Sequence, residues 1–180
     1  MPQLARPSLD VRDSYLEVLD EFRAEGRLGD DDRTGLGHEA RELPASSDDD
    51  ASFREYVEML RQRALEEGVR PEGWVPDTLL WYVDGTEWIG RLDIRHRLSP
   101  QLIEVGGHIG YDVRPSMRRR GHATAMLRDS LPIAARLGIS PALVTCRVDN
   151  IGSRKVIQAN GGVLEDERNG SLRFWVPTRP

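Results

Sequence analysis

The sequence predicts an α/β domain, a mixed layer of strands and helices, and three observations carry that prediction. Apolar residues alternate with period two in some segments and recur at three- and four-residue spacing in others. The resulting order is strand, two helices, three strands, helix, strand, helix, strand. An Asp84-Gly85 pair joins two of the alternating segments, as a tight hairpin turn requires. A further apolar strand runs through an arginine-rich, glycine-closed turn straight into a helix, over G-G-H-I-G-Y-D-V-R-P-S-M-R-R-R-G-H-A-T from Gly106.

Taken in order, Leu4 to Pro7 reads as a first short strand. Ser14 to Ala24 reads as a helix with Tyr15, Leu16, Val18, Leu19 and Phe22 on its apolar side, Ser14 and Glu17 spaced as a capping box, and Gly26 as its end. Gly29 to Asp50 is acidic and nearly free of large apolar residues, which predicts a long surface loop. Ser52 and Glu55 form a second capping box, opening a helix that carries Phe53, Tyr56, Val57, Leu60 and Leu65 and closes at Gly68. The hairpin strands are Thr78 to Val83 and Glu87 to Ile94, and a longer connection through Pro100 leads to a strand over His108 to Val113. A helix from Ala123 to Leu137 follows, with Pro132 inside it predicting a kink. Strand Ala142 to Arg147, helix Ile151 to Ala159 and a last strand around Leu172 to Val176 complete the chain.

At 180 residues the chain suits a single domain with a core that needs no covalent staples. The formal net charge of −5, with the acidic residues spread out, disfavours a general nucleic-acid binder and suits a cationic or amine-bearing partner. One cysteine, Cys146, excludes an intramolecular disulfide and points to a reducing compartment. No apolar run reaches membrane-spanning length and the N-terminus lacks a signal-peptide pattern, so a cytoplasmic protein with no membrane partner is expected.

The arginine turn is built for an anion. Pro115 stops the strand, Arg118, Arg119 and Arg120 supply charge, and Gly121 lets the backbone approach a ligand. The helix beyond it aims its free amides at the same spot, where partial positive charge favours a phosphate. A solvated basic turn is the alternative; no interleaved aromatics or second basic cluster suggest nucleic acid.

Arg118-x-x-Gly121-x-Ala123 resembles the R/Q-x-x-G-x-G/A signature of the GNAT superfamily, the acetyl-CoA-dependent N-acetyltransferases. Downstream, D-N-I-G-S-R-K-V-I-Q-A-N-G-G from Asp149 is similar to a second hallmark of that family, an asparagine ending a strand before a short helix. The segments R-H-R-L and G-G-H-I-G-Y together resemble a bacterial subgroup. The resemblance implies the GNAT fold: a strongly twisted, mainly antiparallel mixed sheet with helices on both faces, its fourth and fifth strands splayed to admit the pantetheine arm. It divides the single domain into an acceptor-side half, 1–105, and an acetyl-CoA-binding half, 106–180. It also implies transfer of an acetyl group from acetyl-CoA to a primary amine of a small molecule or peptide by direct attack. A homodimer through terminal strands is compatible with the family.

Residue by residue, the resemblance assigns acetyl-CoA to Asp112, Val113, Arg118, Arg119, Arg120, Gly121, His122, Ala123 and Thr124, with Asn150 on the pantetheine amide and Ser153 facing the cofactor. Backbone amides near Gly110 and Tyr111 are expected to meet the thioester oxygen. His108 is the candidate base, since its ordinary pKa lies near neutrality, and a structural histidine is the competing reading. Glu104, four residues earlier, falls on the same strand face if no bulge intervenes and can act through water. Arg95 and His96 are candidates for the acceptor pocket, and the 29–50 loop is placed to cover it and select a cationic amine. Many family members protonate the leaving thiolate from a tyrosine at the position of Ile157, which cannot donate a proton; another donor such as Tyr111 or water serves instead, or the thiolate leaves unassisted. Without that tyrosine, the alternative function is a catalytically silent CoA-binding sensor or interaction module. Cys146 reads as a buried strand residue. His38 and His122 lack clustered partners, so no metal site is predicted.

Overall fold

The computed structural model describes residues 1–178. Strands β1 (Gln3–Ala5), β2 (Asp77–Asp84), β3 (Glu87–Arg95) and β4 (Ile109–Val113) form one antiparallel sheet in that spatial order. Strands β5 (Ala142–Arg147), β6 (Val163–Arg168) and β7 (Ser171–Val176) form a second, ordered β5-β7-β6. The helices are α1 (Arg12–Ala24), α2 (Gly35–Glu42), α3 (Asp50–Gln62), α4 (Pro100–Glu104), α5 (His122–Arg136) and α6 (Ile151–Ala159). This is the mixed α/β architecture expected, with helices on both faces of the sheet.

The period of β2 explains the layering. Leu79, Trp81 and Val83 face one core with Trp88, Tyr15 and Phe22 of α1, Leu36 of α2, and Phe53 and Leu60 of α3. Leu80 and Tyr82 face the other, with Met126, Leu127 and Ala134 of α5, Ile157 of α6, and Val144 and Phe174 of the second sheet. One strand therefore glues two helical layers, and the sheet between them is buried on both faces.

Several sequence expectations need correction. The segment from Gly29 to Asp50 is not an unbroken loop: Thr34 caps α2 by accepting from the Gly37 amide (3.1 Å), and Leu36 and Glu39 are fully buried. Helix α3 starts on Asp49, which accepts from the Ala51 and Ser52 amides, so the Ser52/Glu55 box is not used, and the helix ends at Gln62 rather than Gly68. Helix α1 starts at Arg12, and Ser14 instead accepts from the Trp88 amide (3.0 Å), tying α1 to β3. Helix α4 occupies part of the connection through Pro100, and β6 is a seventh strand. Helix α5 runs unbroken through Pro132. Among the described residues, no helix is long and apolar enough to cross a membrane.

The two sheets meet at one place. Gly107 bridges Val144, and His108 donates its amide to the Leu143 carbonyl (2.7 Å) while its Nδ1 accepts from the Leu143 amide (2.9 Å). Gly107 has φ +64, and a Cβ there would collide with the Leu143 carbonyl, so glycine is required both by conformation and by the close approach. Beyond this clasp, β4 and β5 share no ladder among the described residues.

Candidate active site

Where β4 and β5 part, a cleft opens with two lobes. The larger, about 720 Å³, lies on the side of α2 and the hairpin; the smaller, about 630 Å³, lies against the arginine turn and the start of α5. Tyr111, Asp112, Asn150 and Ser153 line both, so the lobes join at the end of β4 and the start of α6.

The smaller lobe contains Asp112, Val113, Arg118, Arg119, Gly121, His122, Ala123, Thr124, Asn150 and Ser153; Arg120 lies outside its lining. Gly121 adopts φ +84 as the N-cap of α5, with nothing within 4 Å of a built Cβ, and the first turn above it aims its free amides into the lobe. The three arginines differ. Arg118 is held by both oxygens of Glu25 (2.7 and 2.9 Å), and Arg120 donates to the Ser116 carbonyl (3.2 Å). Arg119, at φ +63, has no hydrogen-bond or ion-pair partner among the described residues and lines the lobe. Two phosphates would therefore find one free guanidinium, a helix N-terminus and an uncovered glycine, a donor set that fits a pyrophosphate. Asp112 is not a free carboxylate: Arg27 holds its Oδ1 at 2.7 Å.

Asn150 caps α6, accepting from the Ser153 amide (3.0 Å), which leaves its amide nitrogen available to the cleft. The Ser153 hydroxyl lies 2.6 Å from the Tyr111 phenol, at the junction of the lobes. Burial pushes the Tyr111 phenol up to about 12, the Ser153 hydrogen bond partly offsetting it, so the ring oxygen stays protonated at neutral pH. Ile157, fully buried in the core, takes no part. Cys146 faces the same cleft, its thiol raised by burial.

The expected base is not available at His108. Its Nδ1 lone pair is used by the Leu143 amide, so the neutral ring carries its proton on Nε2 and has no free acceptor. It is 9% exposed, and burial, with the Arg95 charge, lowers its pKa to about 4. A histidine held neutral in the folded state stabilises the fold above its ordinary pKa of about 6.5. That contribution fades as pH falls through about 4, because the unfolded chain takes up the proton first. The thermal midpoint of the wild type should drop over this acidic window, and His108→Asn, which keeps an acceptor for Leu143 but cannot titrate, should flatten the profile.

Glu104 ends α4, where it pairs with Arg168 (2.8 Å); the turn at Gly106 and Gly107 removes it from the strand face on which a water-mediated base was expected. His96 turns from the cleft to Thr78, its Nε2 lying 2.8 Å from the hydroxyl, whereas the adjacent Arg95 lines the larger lobe and donates to the carbonyls of Gly106 and Gly107 (2.9 and 3.2 Å). The 29–50 segment does wall this lobe, through Thr34, Gly35 and His38. Sequence reading missed the charged floor beneath it: Arg91 contacts Glu39 (2.8 Å) and Asp93 (2.7 Å), Arg63 contacts Glu39 (3.3 Å) and Asp77 (2.8 Å), and Arg95 contacts Asp93 (2.9 Å). Alternating charge on β3, R-L-D-I-R, is the one sequence signal that marks it. Among the described residues no group of three His, Cys, Asp or Glu side chains is arranged to hold a metal ion.

Residues 30–163 match the family model described as an acetyltransferase (GNAT) domain. No curated protein matches the chain significantly. Among solved structures, the ribosomal L7/L12 alpha-N-protein acetyltransferase RimL in complex with coenzyme A is similar, with TM-score 0.60 and 18% identity over 98% of this chain and 93% of its own. The microcin C7 self-immunity acetyltransferase MccE, in complex with acetyl-CoA and AMP, gives TM-score 0.59 and 14% identity over 99% of this chain and 92% of its own. Campylobacter jejuni PseH, an N-acetyltransferase in complex with acetyl coenzyme A, gives 0.54 and 10% over 99% and 100%. At these identities the likeness is one of fold.

Proposed function

The chain belongs to the GNAT acetyltransferases, acetyl-CoA-dependent acyltransferases, and from that premise we propose that it acetylates a primary amine of a small molecule or peptide by direct attack on the thioester. One observation carries the reading: an anion-binding lobe and an acceptor-sized lobe meet at Tyr111 and Ser153, where a thioester entering from one side would face an amine entering from the other. Arg119 and the α5 amides hold the pyrophosphate, and Asn150 meets the pantetheine amide. Backbone amides near Gly110 and Tyr111 receive the developing oxyanion. The amine forms the new C–N bond as the C–S bond breaks. Tyr111, kept protonated by burial, gives its proton to the departing thiolate and is reprotonated from solvent, while the amine's proton leaves through water in the open acceptor lobe.

The test is titration calorimetry with acetyl-CoA followed by thiol release across a panel of primary amines. Binding without thioester consumption by any amine would support a catalytically silent CoA-binding module instead. Tyr111→Phe is expected to lower kcat by about 10²-fold while leaving acetyl-CoA affinity within about threefold. Unchanged turnover in that variant would remove Tyr111 from the chemistry.

A further inference from the structure

The smaller lobe is bordered by a carboxylate that an anion site does not need. Glu25, the residue that closes α1, lines it together with Arg118, Arg119 and Gly121. Its two oxygens accept from both terminal nitrogens of Arg118 at 2.7 and 2.9 Å, the bidentate form in which a guanidinium also holds a phosphate. These are the only hydrogen bonds of the Glu25 side chain among the described residues. Helix α1 does not favour the carboxylate there, since a negative charge at a helix C-terminus meets the negative end of the dipole. Arg118 keeps a separate anchor, its Nε donating to the Val113 carbonyl (3.2 Å), so its terminal nitrogens can change partner without leaving the lobe. The other ion pair of the lobe is built differently. Arg27 holds Asp112 at 2.7 Å and also donates to Thr34 (2.8 Å), and these two side chains are 24% and 18% exposed, against 42% and 39% for Arg118 and Glu25. Solvent screens the outer pair more, which makes Glu25 the carboxylate that a ligand anion can displace.

We infer that Glu25 is a built-in competitor for the pyrophosphate of acetyl-CoA: its carboxylate occupies Arg118 within the lobe, and the cofactor binds by taking that guanidinium from it. This rests on the acetyltransferase reading and adds to it the residue that sets cofactor affinity. In the exchange Arg118 gives up a carboxylate and gains a phosphate, while Glu25 turns to solvent with its charge still beside the site. The broken pair and the like-charge contact both subtract from the affinity that Arg119, the α5 amides and Arg118 would otherwise reach together. Acetyl-CoA and the product CoA carry the same pyrophosphate, so the subtraction applies to both and favours product release as much as it opposes entry.

The experiment is titration calorimetry of the full chain with CoA and with dephospho-CoA, which keeps the pyrophosphate and lacks the 3′-phosphate. Glu25→Gln removes the charge at nearly constant shape on an exposed side chain, and its thermal midpoint is recorded to show that it is folded. It should bind both ligands about threefold to tenfold more tightly than the wild type, by the same factor for each. Glu55→Gln on α3, which lines neither lobe, makes the same change in net charge and should leave both affinities where they were. Equal or weaker binding by folded Glu25→Gln overturns the inference while leaving the acetyltransferase reading intact, as does an equal gain in Glu55→Gln. A gain confined to CoA also overturns it, by setting Glu25 against the 3′-phosphate and not the pyrophosphate. Failure of both the folded wild type and Glu25→Gln to bind CoA removes the acetyltransferase reading and the inference with it.

Discussion

Reversing one charge and filling one gap in the arginine turn should abolish acetyl-CoA binding: the double variant Arg119→Glu/Gly121→Trp is expected to lose at least about 10³-fold in affinity by calorimetry. The reasoning is specific to these two residues. Arg118 is already paired with Glu25, and Arg120 donates to the Ser116 carbonyl and lies outside the lobe, which leaves Arg119 as the guanidinium free to meet phosphate. Gly121 stands where nothing approaches a Cβ, so an indole there occupies ligand space, although its left-handed backbone also strains any side chain. Arg119→Glu alone, on an exposed turn, separates the two effects. It should keep the wild-type thermal midpoint and still bind acetyl-CoA more than about tenfold more weakly. Wild-type affinity in a folded double variant would place the pyrophosphate elsewhere.

The largest effect on stability is expected at Arg91. This guanidinium is fully buried and bridges Glu39 on α2 to Asp93 on β3, with Asp112 of β4 at 3.9 Å. Removing it by Arg91→Ala leaves Glu39 with Arg63 alone and Asp93 with Arg95 alone, two buried carboxylates each short of one guanidinium, a loss of about 3–5 kcal/mol measurable by urea denaturation. A double variant with Glu39→Gln should lose less than the sum of the two single changes, because the neutral amide no longer needs the guanidinium. Helix α2 depends on the same contact: Gly35 packs so closely over Arg91 that a Cβ there would lie 2.8 Å from Nη1. The wall of the larger lobe and the charged floor are thus one unit.

Legibility followed the range of the interactions. The arginine turn and the asparagine before α6 are local devices whose residues act on neighbours a few positions away, and each is found where the sequence places it; the hairpin is there too, but its turn is Gly85-Thr86, one position on from the expected Asp84-Gly85, with Asp84 paired to Glu87 at the end of β2. Helix α2 was hidden because it carries one large buried apolar residue, Leu36, and because Glu39 is stabilised in the core by arginines from α3's end and β3. Strand β6, V-L-E-D-E-R, lies at a sheet edge with most of its side chains exposed, so it carries no alternating burial to read. His108 misled for the same reason: its chemistry depends on an amide of Leu143, which only the meeting of the two sheets brings to its ring.

The sequence by itself determined the family, the order of most elements and the arginine turn into the N-terminus of α5, because periodicity, turn chemistry and a helix N-terminus are written in contiguous residues. Tertiary structure alone decided which guanidinium is free, which histidine is spent on the backbone and which carboxylate faces the cleft. Those properties are set by pairing and desolvation between segments far apart in the chain, where the identity of a side chain says little until its neighbours are in place.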